Sequence, residues 1–417
     1  MLLLKLSLIV FLIIWLVAMV MAYSYGRVGR RIQKLERLST VDASLPPLSV
    51  IITAHNQASA LRRHLPAILE QDYERFEVIV VNTGSNDETK DVLERLELRY
   101  ANLRHTFTPR SARDISLERL ALTLGIRSAI HEWVVLTHPD CEPASSQWLT
   151  RIGETIANPR RGVQSKHLKE PDIIIGFARY NRHRTSWFDR KVDFHRLWNN
   201  VVGFNHILSG HAAMRADGCN LAYRKSLFIE NGGMAAHQEL KSGAEELLVN
   251  HNAKPHNTAL MLSPSALMLQ DPLPARRLWK QQRVFYCETR RHQRHRHLYR
   301  ATQALRLFMP WLLLVIAIVV PALYPIMQYL ETMQVPLLDT LDLQPTDLIS
   351  VSAIVLILLL IYVILKIVSF NRTASQLGCR RYYLSLIIFE LALPFWNLSA
   401  AIAHRRASKN EFRKKFV

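Results

Sequence analysis

The stretch Leu48-Ser49-Val50-Ile51-Ile52-Thr53, followed by Ala58–Glu70 and then by Phe76-Glu77-Val78-Ile79-Val80-Val81, decides the fold. The first run is short, apolar and β-branched, as a buried strand requires. Ala58–Glu70 places Leu61, Leu65, Ile68 and Leu69 at helical spacing, and the second apolar run repeats the first. Strand, helix and strand in this order build a parallel sheet.

Working outward, Thr83-Gly84-Ser85-Asn86-Asp87 has turn chemistry. Glu88–Arg99 reads as a helix with acids at its start, where the helix dipole favours them. Ser116–His131 is a third helix and Trp133–Leu136 a third strand. The alternation predicts a doubly wound α/β domain with a largely parallel sheet, spanning residues 45–273. Such sheets bind ligands beyond the carboxyl ends of their strands. Those ends are Thr53–Asn56, Asn82–Asp87 and Thr137–Glu142, and polar residues fall there. The second half is less regular. Asp172–Ala178 reads as a strand, Trp187–Val202 as a helix, Gly218–Tyr223 as a strand or turn, and Glu245–His251 as helical.

The flanks have a different composition. The chain has 417 residues, 49% of them hydrophobic, and the apolar ones concentrate in four places. Leu2–Ala22 is long enough for a bilayer, which takes about 20 residues, and too long for a typical cleaved signal peptide. A transmembrane anchor is expected over 1–24, followed by a basic juxtamembrane linker over 25–44. Further spans are expected over 307–330 and 349–370. An amphipathic basic interfacial helix is expected over 274–306. Residues 384–403 contain Glu390, Pro394 and Asn397 and are basic on both sides, which predicts an interfacial or re-entrant helix, with a basic tail over 404–417.

The net charge of +19 sits mainly beside these apolar segments. Cytoplasmic flanks carry an excess of Lys and Arg. Arg27–Arg37 therefore belongs in the cytoplasm, and the loop Glu331–Asp347, which has acids and no Lys or Arg, on the far side. A multi-pass cell-membrane protein with a cytoplasmic α/β domain is expected. A nucleic-acid partner is not, because zinc-finger spacing, helix-turn-helix cues and aromatic-rich RNA-binding motifs are all missing. The four cysteines form no CxxC, which speaks against a disulfide framework or zinc site and fits a reducing compartment.

From Ser49 to about Tyr286 the sequence resembles the family 2 glycosyltransferases, which have the GT-A fold. Ser49–Asn56 resembles the opening strand and nucleotide-binding turn, and Glu77–Asn82 with Thr83–Thr89 the second strand and its Gly-Ser-x-Asp-x-Thr loop. Thr137-His138-Pro139-Asp140, with Trp148 downstream, stands where the family has its DxD metal motif. Gly218–Arg224 and Gly232-Gly233 resemble the acceptor-side segment. Gly243-Ala244-Glu245-Glu246 stands at the acidic pair bearing the catalytic base, and Trp279–Arg283 near the Gln-rich Arg/Trp motif. The chain departs from the family at Asn82 and Thr83, where two Asp are usual, at His138, the first Asp of DxD, and at Val284-Phe285.

The resemblance implies transfer of a sugar, with inversion, from a nucleoside-diphosphate sugar to a lipid-linked or polysaccharide acceptor at the membrane, with UDP-sugar the expected donor. It implies a divalent cation, Mn²⁺ or Mg²⁺, on Asp140, with His138 as a second ligand. Glu246 is the expected general base and Glu245 the close alternative. Thr53, His55, Asn82, Asp87, Arg119 and Arg283 are the expected nucleotide-sugar contacts. A turn cap at Asp140 and a solvated acidic pair at a helix start are the plain structural alternatives. The altered positions leave open a degenerate transferase fold that binds without catalysis. His292, His295 and His297 read better as a solvated face than as a metal cluster.

Overall fold

The computed structural model describes residues 2–36, 44–109, 116–158, 170–181, 186–234, 237–273, 275–332 and 345–412. The chain divides into two compact units. One holds residues 28–299 with 376–379 and 397–417, the other residues 1–27, 300–375 and 380–396.

The first unit is built on a seven-stranded sheet. Its strands are β1 (Leu48–Ala54), β2 (Phe76–Asn82), β3 (Leu103–Phe107), β4 (Trp133–Thr137), β6 (Ile173–Ile175), β8 (Leu221–Arg224) and β9 (Thr258–Leu260), in the order β3-β2-β1-β4-β8-β6-β9. β3, β2, β1 and β4 are parallel, so that Leu48 pairs with Phe76 and Trp133 and Ala54 with Asn82. β8 then runs antiparallel to β4 and β6. The parallel half matches the expectation. Beyond β4 the sheet is mixed, since β8 runs against both of its neighbours.

β1 and β2 are apolar on both faces because both faces are covered. The helices α2 (Ala58–Leu69), α3 (Thr89–Arg99), α4 (Leu117–Ser128) and α5 (Trp148–Ala157) surround this half. Leu61, Leu65, Ile68 and Leu69 of α2 are buried as their spacing predicts. Helix α4 approaches so closely that a Cβ on Gly125 would fall 2.4 Å from the Ile51 methyl. At the strand starts, buried Glu77 accepts hydrogen bonds from Ser49 Oγ at 2.6 Å and from the Ile130 amide at 2.8 Å, and pairs with Arg104. Burial works against its charge, but these donors hold its carboxyl below the usual range.

A three-stranded sheet, β5 (Cys141–Pro143), β10 (Met268–Gln270) and β7 (Ala178–Tyr180), continues directly from the end of β4. The long α6 (Trp187–Leu208), the short α7 (Lys225–Glu230), α8 (Ala244–Asn252) and α9 (Arg276–Thr289) complete this side. The expected interfacial helix over 274–306 is not one element. It breaks after α9 and resumes at α10 (Arg296–Thr332), with His295 in the left-handed region at φ 50°. Trp279, Glu288 and Thr289 of α9 are buried, so this helix belongs to the α/β unit. In the expected linker over 25–44, α1 (Leu2–Glu36) extends as far as Glu36, with Val28 and Ile32 wholly buried one turn apart, and residues 37–43 lie outside the described residues.

The second unit is helical. Phe11, Ala18 and Ala22 of α1 pack with Met309, Leu313 and Ala317 of α10 and with Val355 and Tyr362 of α11 (Pro345–Gln376). Alanines at such contacts let apolar helices approach closely. Trp15 donates to the Leu358 carbonyl at 2.8 Å, and buried Lys366 pairs with Glu390. α12 (Leu384–Arg406) runs unbroken through Pro394, and a short α13 (Lys409–Phe412) follows. Four helices are long and apolar enough to cross a membrane: Ile9–Leu35, Arg296–Leu323, Ile349–Gln376 and Leu384–Arg406. Most of the loop Glu331–Asp347 and the tail beyond Phe412 lie outside the described residues.

Candidate active site

The carboxyl ends of β1 and β2 carry the first group of expected residues. His55 Nδ1 donates to the Thr83 carbonyl at 3.0 Å. Asn82 Oδ1 accepts from the Ser85 amide at 3.0 Å. Asn56, left-handed at φ 54°, receives the Asn86 amide on its side-chain oxygen at 2.8 Å. Asp87 accepts from the amides of Ala58 and Thr89 at 3.1 and 3.0 Å. Thr53 is half-buried beside them on β1. The two turns thus lace each other together. Asp87 serves the backbone, as Asp does in turns, while an Asn carbonyl with one donor keeps a second lone pair.

Arg119 is placed elsewhere. Its side chain is buried and its guanidinium donates to the carbonyls of Leu240 and Ser242, each at 3.1 Å. This fixes the segment leading into α8, apart from the side chains at the β1–β2 turns.

At the end of β4, His138 stands between two other elements. Its Nδ1 is 3.5 Å from Cys219 Sγ and its Nε2 is 3.7 Å from Glu245 Oε1. Burial opposes its charge, yet Cys219 and Glu245 hold its imidazole well above the usual range. Both ring nitrogens thus face a neighbouring side chain, one the Cys219 thiol and the other the Glu245 carboxylate. Gly218 makes the approach possible: a Cβ there would sit 2.9 Å from both Glu245 and His138.

Asp140 is half-buried, accepts from Gln270 Nε2 at 3.0 Å, and faces the Cys141 thiol at 3.6 Å. Among the described residues it has no ion pair, so its carboxylate suits a cation. No group of three or more His, Cys, Asp or Glu among the described residues is placed to hold a metal unaided. A cation at Asp140 would complete its shell with donor phosphate and water, as Mg²⁺ commonly does.

Glu245 and Glu246 lie in the first turn of α8, behind Gly243 at φ 75°, where a Cβ would collide with Thr289 at 2.5 Å. Their surroundings push them apart. For Glu245 burial is outweighed by His138, and its carboxyl is lowered. For Glu246 burial wins: its carboxyl is pushed up to about 7 against the pull of Arg215, whose Nε is 3.6 Å away. Gln293 donates to Glu246 at 3.1 Å.

A cleft of about 560 Å³ opens beside the pair, lined among others by His138, His195, Arg215, Glu246, Trp279 and Arg283. Nothing before His138 in the chain lines it, so Thr53, His55, Asn82 and Asp87 form a separate group. Sequence reasoning missed His195, Arg196, Arg215 and Asp217. Arg196 pairs with Asp217 and donates to Gln270 at 2.6 Å, and burial notwithstanding, Arg196 pushes the Asp217 carboxyl down to about 2. Partners so distant in sequence leave no spacing signal. The acceptor-side segment is anchored by buried Asn220, which accepts from Trp148 Nε1 at 3.1 Å and donates to the carbonyls of Phe177 and Ala266 at 3.2 and 2.9 Å.

Comparison with known proteins agrees with this architecture. The family model described as Glycosyl transferase family 2 matches residues 49–228. Glycosyltransferase AglE of Haloferax volcanii is 31% identical over 117 residues, 28% of this chain and 37% of its own length. The probable glycosyltransferase YdaM of Bacillus subtilis is 36% identical over 66 residues, 15% of this chain and 16% of its own. The chain thus spans well under half the length of these curated relatives. Among solved structures, mannosyltransferase PcManGT from Pyrobaculum calidifontis, in complex with GDP-Man and Mn²⁺, is 17% identical at a TM-score of 0.48, covering 94% of this chain and 98% of that one. Residues 49–228 thus carry a segment similar to glycosyl transferase family 2.

Proposed function

We propose that this protein is a membrane glycosyltransferase that moves a sugar from a nucleoside-diphosphate sugar, with UDP-sugar the first candidate, to a lipid-linked or polysaccharide acceptor. The observation that carries the reading is the acidic pair of α8 at the cleft, with one carboxyl lowered and the other raised to about 7. A base works best when its pKa lies near the working pH. Glu246 takes the proton as the acceptor hydroxyl attacks the anomeric carbon. The bond from that carbon to the donor diphosphate breaks, and the nucleoside diphosphate leaves with the electron pair. A single displacement of this kind inverts the anomeric centre.

A divalent cation bound at Asp140 would neutralise charge on the leaving diphosphate. His138 is assigned to fixing Glu245 in place of ligating that cation. Thr53, His55 and Asn82 form the grip for the nucleotide, with Asn82 offering its amide and second lone pair to the base. Asp87 shapes the turn that carries them.

The α/β unit is assigned to the cytoplasm, following its basic flanks. The far end of α12 supports a tail on the same side. Asn397 accepts from Arg283 at 3.1 Å, His404 pairs with Glu288 at 2.8 Å, and the Lys241 amide donates to the Phe412 carbonyl at 3.0 Å. Upstream of α12, the space at Gly378 is bounded by Arg179 of the same unit. Residues 376–379 and 397–417, before and after most of α12, belong to the α/β unit, which supports the interfacial reading of α12. Tags at Arg30 and after Val417 should both report cytoplasm, and a tail tag reporting the far side would overturn this.

The test of function is transfer or hydrolysis by the full-length protein with a panel of nucleoside-diphosphate sugars, with and without Mn²⁺. Turnover that Glu246→Gln abolishes supports the reading. Donor binding with no transfer to any lipid or glycan acceptor, and no hydrolysis, points instead to a binding protein on a transferase fold, which the altered Asn82, Thr83 and His138 would suit.

A further inference from the structure

The cleft has two differently charged walls. On one, each cation has an acid: Arg196 has Asp217 and Arg215 has Glu246. On the other, cations gather around one indole. Trp279 is buried, the Arg283 guanidinium lies 4.7 Å from its ring centroid, and the His195 ring meets it edge-on at 5.7 Å. Lys191, just outside the lining, places its Nζ 4.7 Å from the same ring. Arg276 covers Phe188, which packs edge-on against Trp279 at 5.8 Å.

Arg283 forms no ion pair among the described residues; its hydrogen bond goes to the neutral side chain of Asn397. Burial pushes its guanidinium down to about 10. His195 is held well below its usual range by burial and then by the positive charges of Arg283, Arg215 and Lys191. Gathering like charges in a half-buried wall costs stability unless an anion enters. The Trp279 face holds the Arg283 guanidinium in place without neutralising it.

We propose that the Trp279 wall is an anion subsite that receives a phosphate group carried by the acceptor. This rests on the transferase reading of the same cleft. Donors from two helices, α6 and α9, converge there, which suits a phosphate with several oxygens better than the single fork that meets a carboxylate. The anion is the acceptor's because the cleft takes no lining from the β1 and β2 ends, where the nucleotide is placed. Asp140, assigned to the donor diphosphate through its cation, is likewise absent from the lining. Glu246 lines the same cleft, so an acceptor held by its phosphate at Trp279 presents a neighbouring hydroxyl to the base.

The experiment measures binding of inorganic phosphate and of dihexanoyl phosphatidic acid to the full-length protein, with UDP-sugar binding in parallel. Both proteins, wild type and Arg283→Gln, are compared, with Lys191→Gln as a second variant whose side chain is outside the cleft lining. At least one phosphate probe should bind the wild type, and Arg283→Gln should weaken it roughly tenfold or more, as loss of a charged hydrogen bond does, with Lys191→Gln weakening it less. Donor affinity should stay within about twofold. Binding of both probes assigns a soluble or lipid phosphate equally, and binding of the lipid probe alone assigns a lipid phosphate. Failure of both probes overturns the proposal, as does an equal loss of donor affinity in Arg283→Gln, which would give the wall to the donor diphosphate. Absence of sugar turnover in the wild type, with phosphate binding intact, would instead defeat the transferase reading.

Discussion

The β1–β2 turns and the Trp279 cleft lie in one unit but are built by opposite rules. In the turns, polar side chains serve nearby backbone: Asp87 holds the amides of Ala58 and Thr89, and Asn82 that of Ser85. In the cleft, polar side chains serve one another across the chain: His138 with Glu245, Arg215 with Glu246, Arg196 with Asp217. The first arrangement shapes a rigid cradle whose charges are already used. The second sets the protonation of acids that face open space. Substitutions in the turns should therefore change stability and affinity, and substitutions in the cleft should change rate.

Glu246→Gln is the sharpest way to break this comparison. It should lower turnover by about 10²–10⁴-fold and leave donor affinity nearly intact, the pattern of a lost general base. Wild-type turnover should rise with pH through about 7, where the Glu246 carboxyl loses its proton, and the variant should lose that limb. The sign for stability is opposite. A carboxyl raised in the folded state favours folding at low pH, and this contribution is lost as pH rises through about 7. Above that pH the variant should therefore be the more stable protein, by roughly 1–3 kcal/mol in denaturant titration. Should Glu245→Gln abolish turnover and Glu246→Gln spare it, the base is Glu245.

Asp140→Ala comes next. Its carboxylate is assigned to a cation on the donor diphosphate, present before and during transfer. Donor binding should weaken on the order of 10–100-fold and lose its dependence on Mn²⁺; affinity that still responds to Mn²⁺ would remove Asp140 from the site. Gly218→Ala tests the close approach of His138 and Glu245, since the added methyl would stand 2.9 Å from both. A melting experiment should show a loss of about 1–3 kcal/mol, with a rate loss beyond it. Asn82→Ala should have the smallest effect, about 1 kcal/mol of donor affinity for one hydrogen bond. Affinity unchanged across several nucleotides would confine Asn82 to shaping the turn.

The two regions were not equally legible in the sequence. The parallel half of the sheet could be read because Leu48–Thr53, Ala58–Glu70 and Phe76–Val81 carry their periods locally. β3 escaped notice because Leu103-Arg104-His105-Thr106-Phe107 is an edge strand with one fully buried residue. β5, β7 and β10 have three residues each, too few to show a period. Motif order brought Glu245, Glu246 and Asp140 to attention. The partners of Arg119 at Leu240 and Ser242, more than a hundred residues away, left no trace in that order. The basic stretch 274–306 shows the same limit: its charge suggested a lipid face, while buried Trp279 lines the cleft and buried Glu288 pairs with His404.

The hydrogen bond between His404 and Glu288 has a consequence in time as well as space. The two residues are 116 positions apart, and the apolar helices α10 and α11 lie between them. A ribosome adds roughly 5–20 residues per second, so Glu288 waits on the order of ten seconds for its partner. During that wait two intervening helices long and apolar enough to cross a membrane leave the ribosome. The nascent catalytic unit therefore carries an unfinished face while insertion proceeds, and it closes only when α12 and Phe412 have been translated. A chain halted after α11 would leave the ribosome with its β1–β2 turns complete and its cleft wall still unsupported by Asn397.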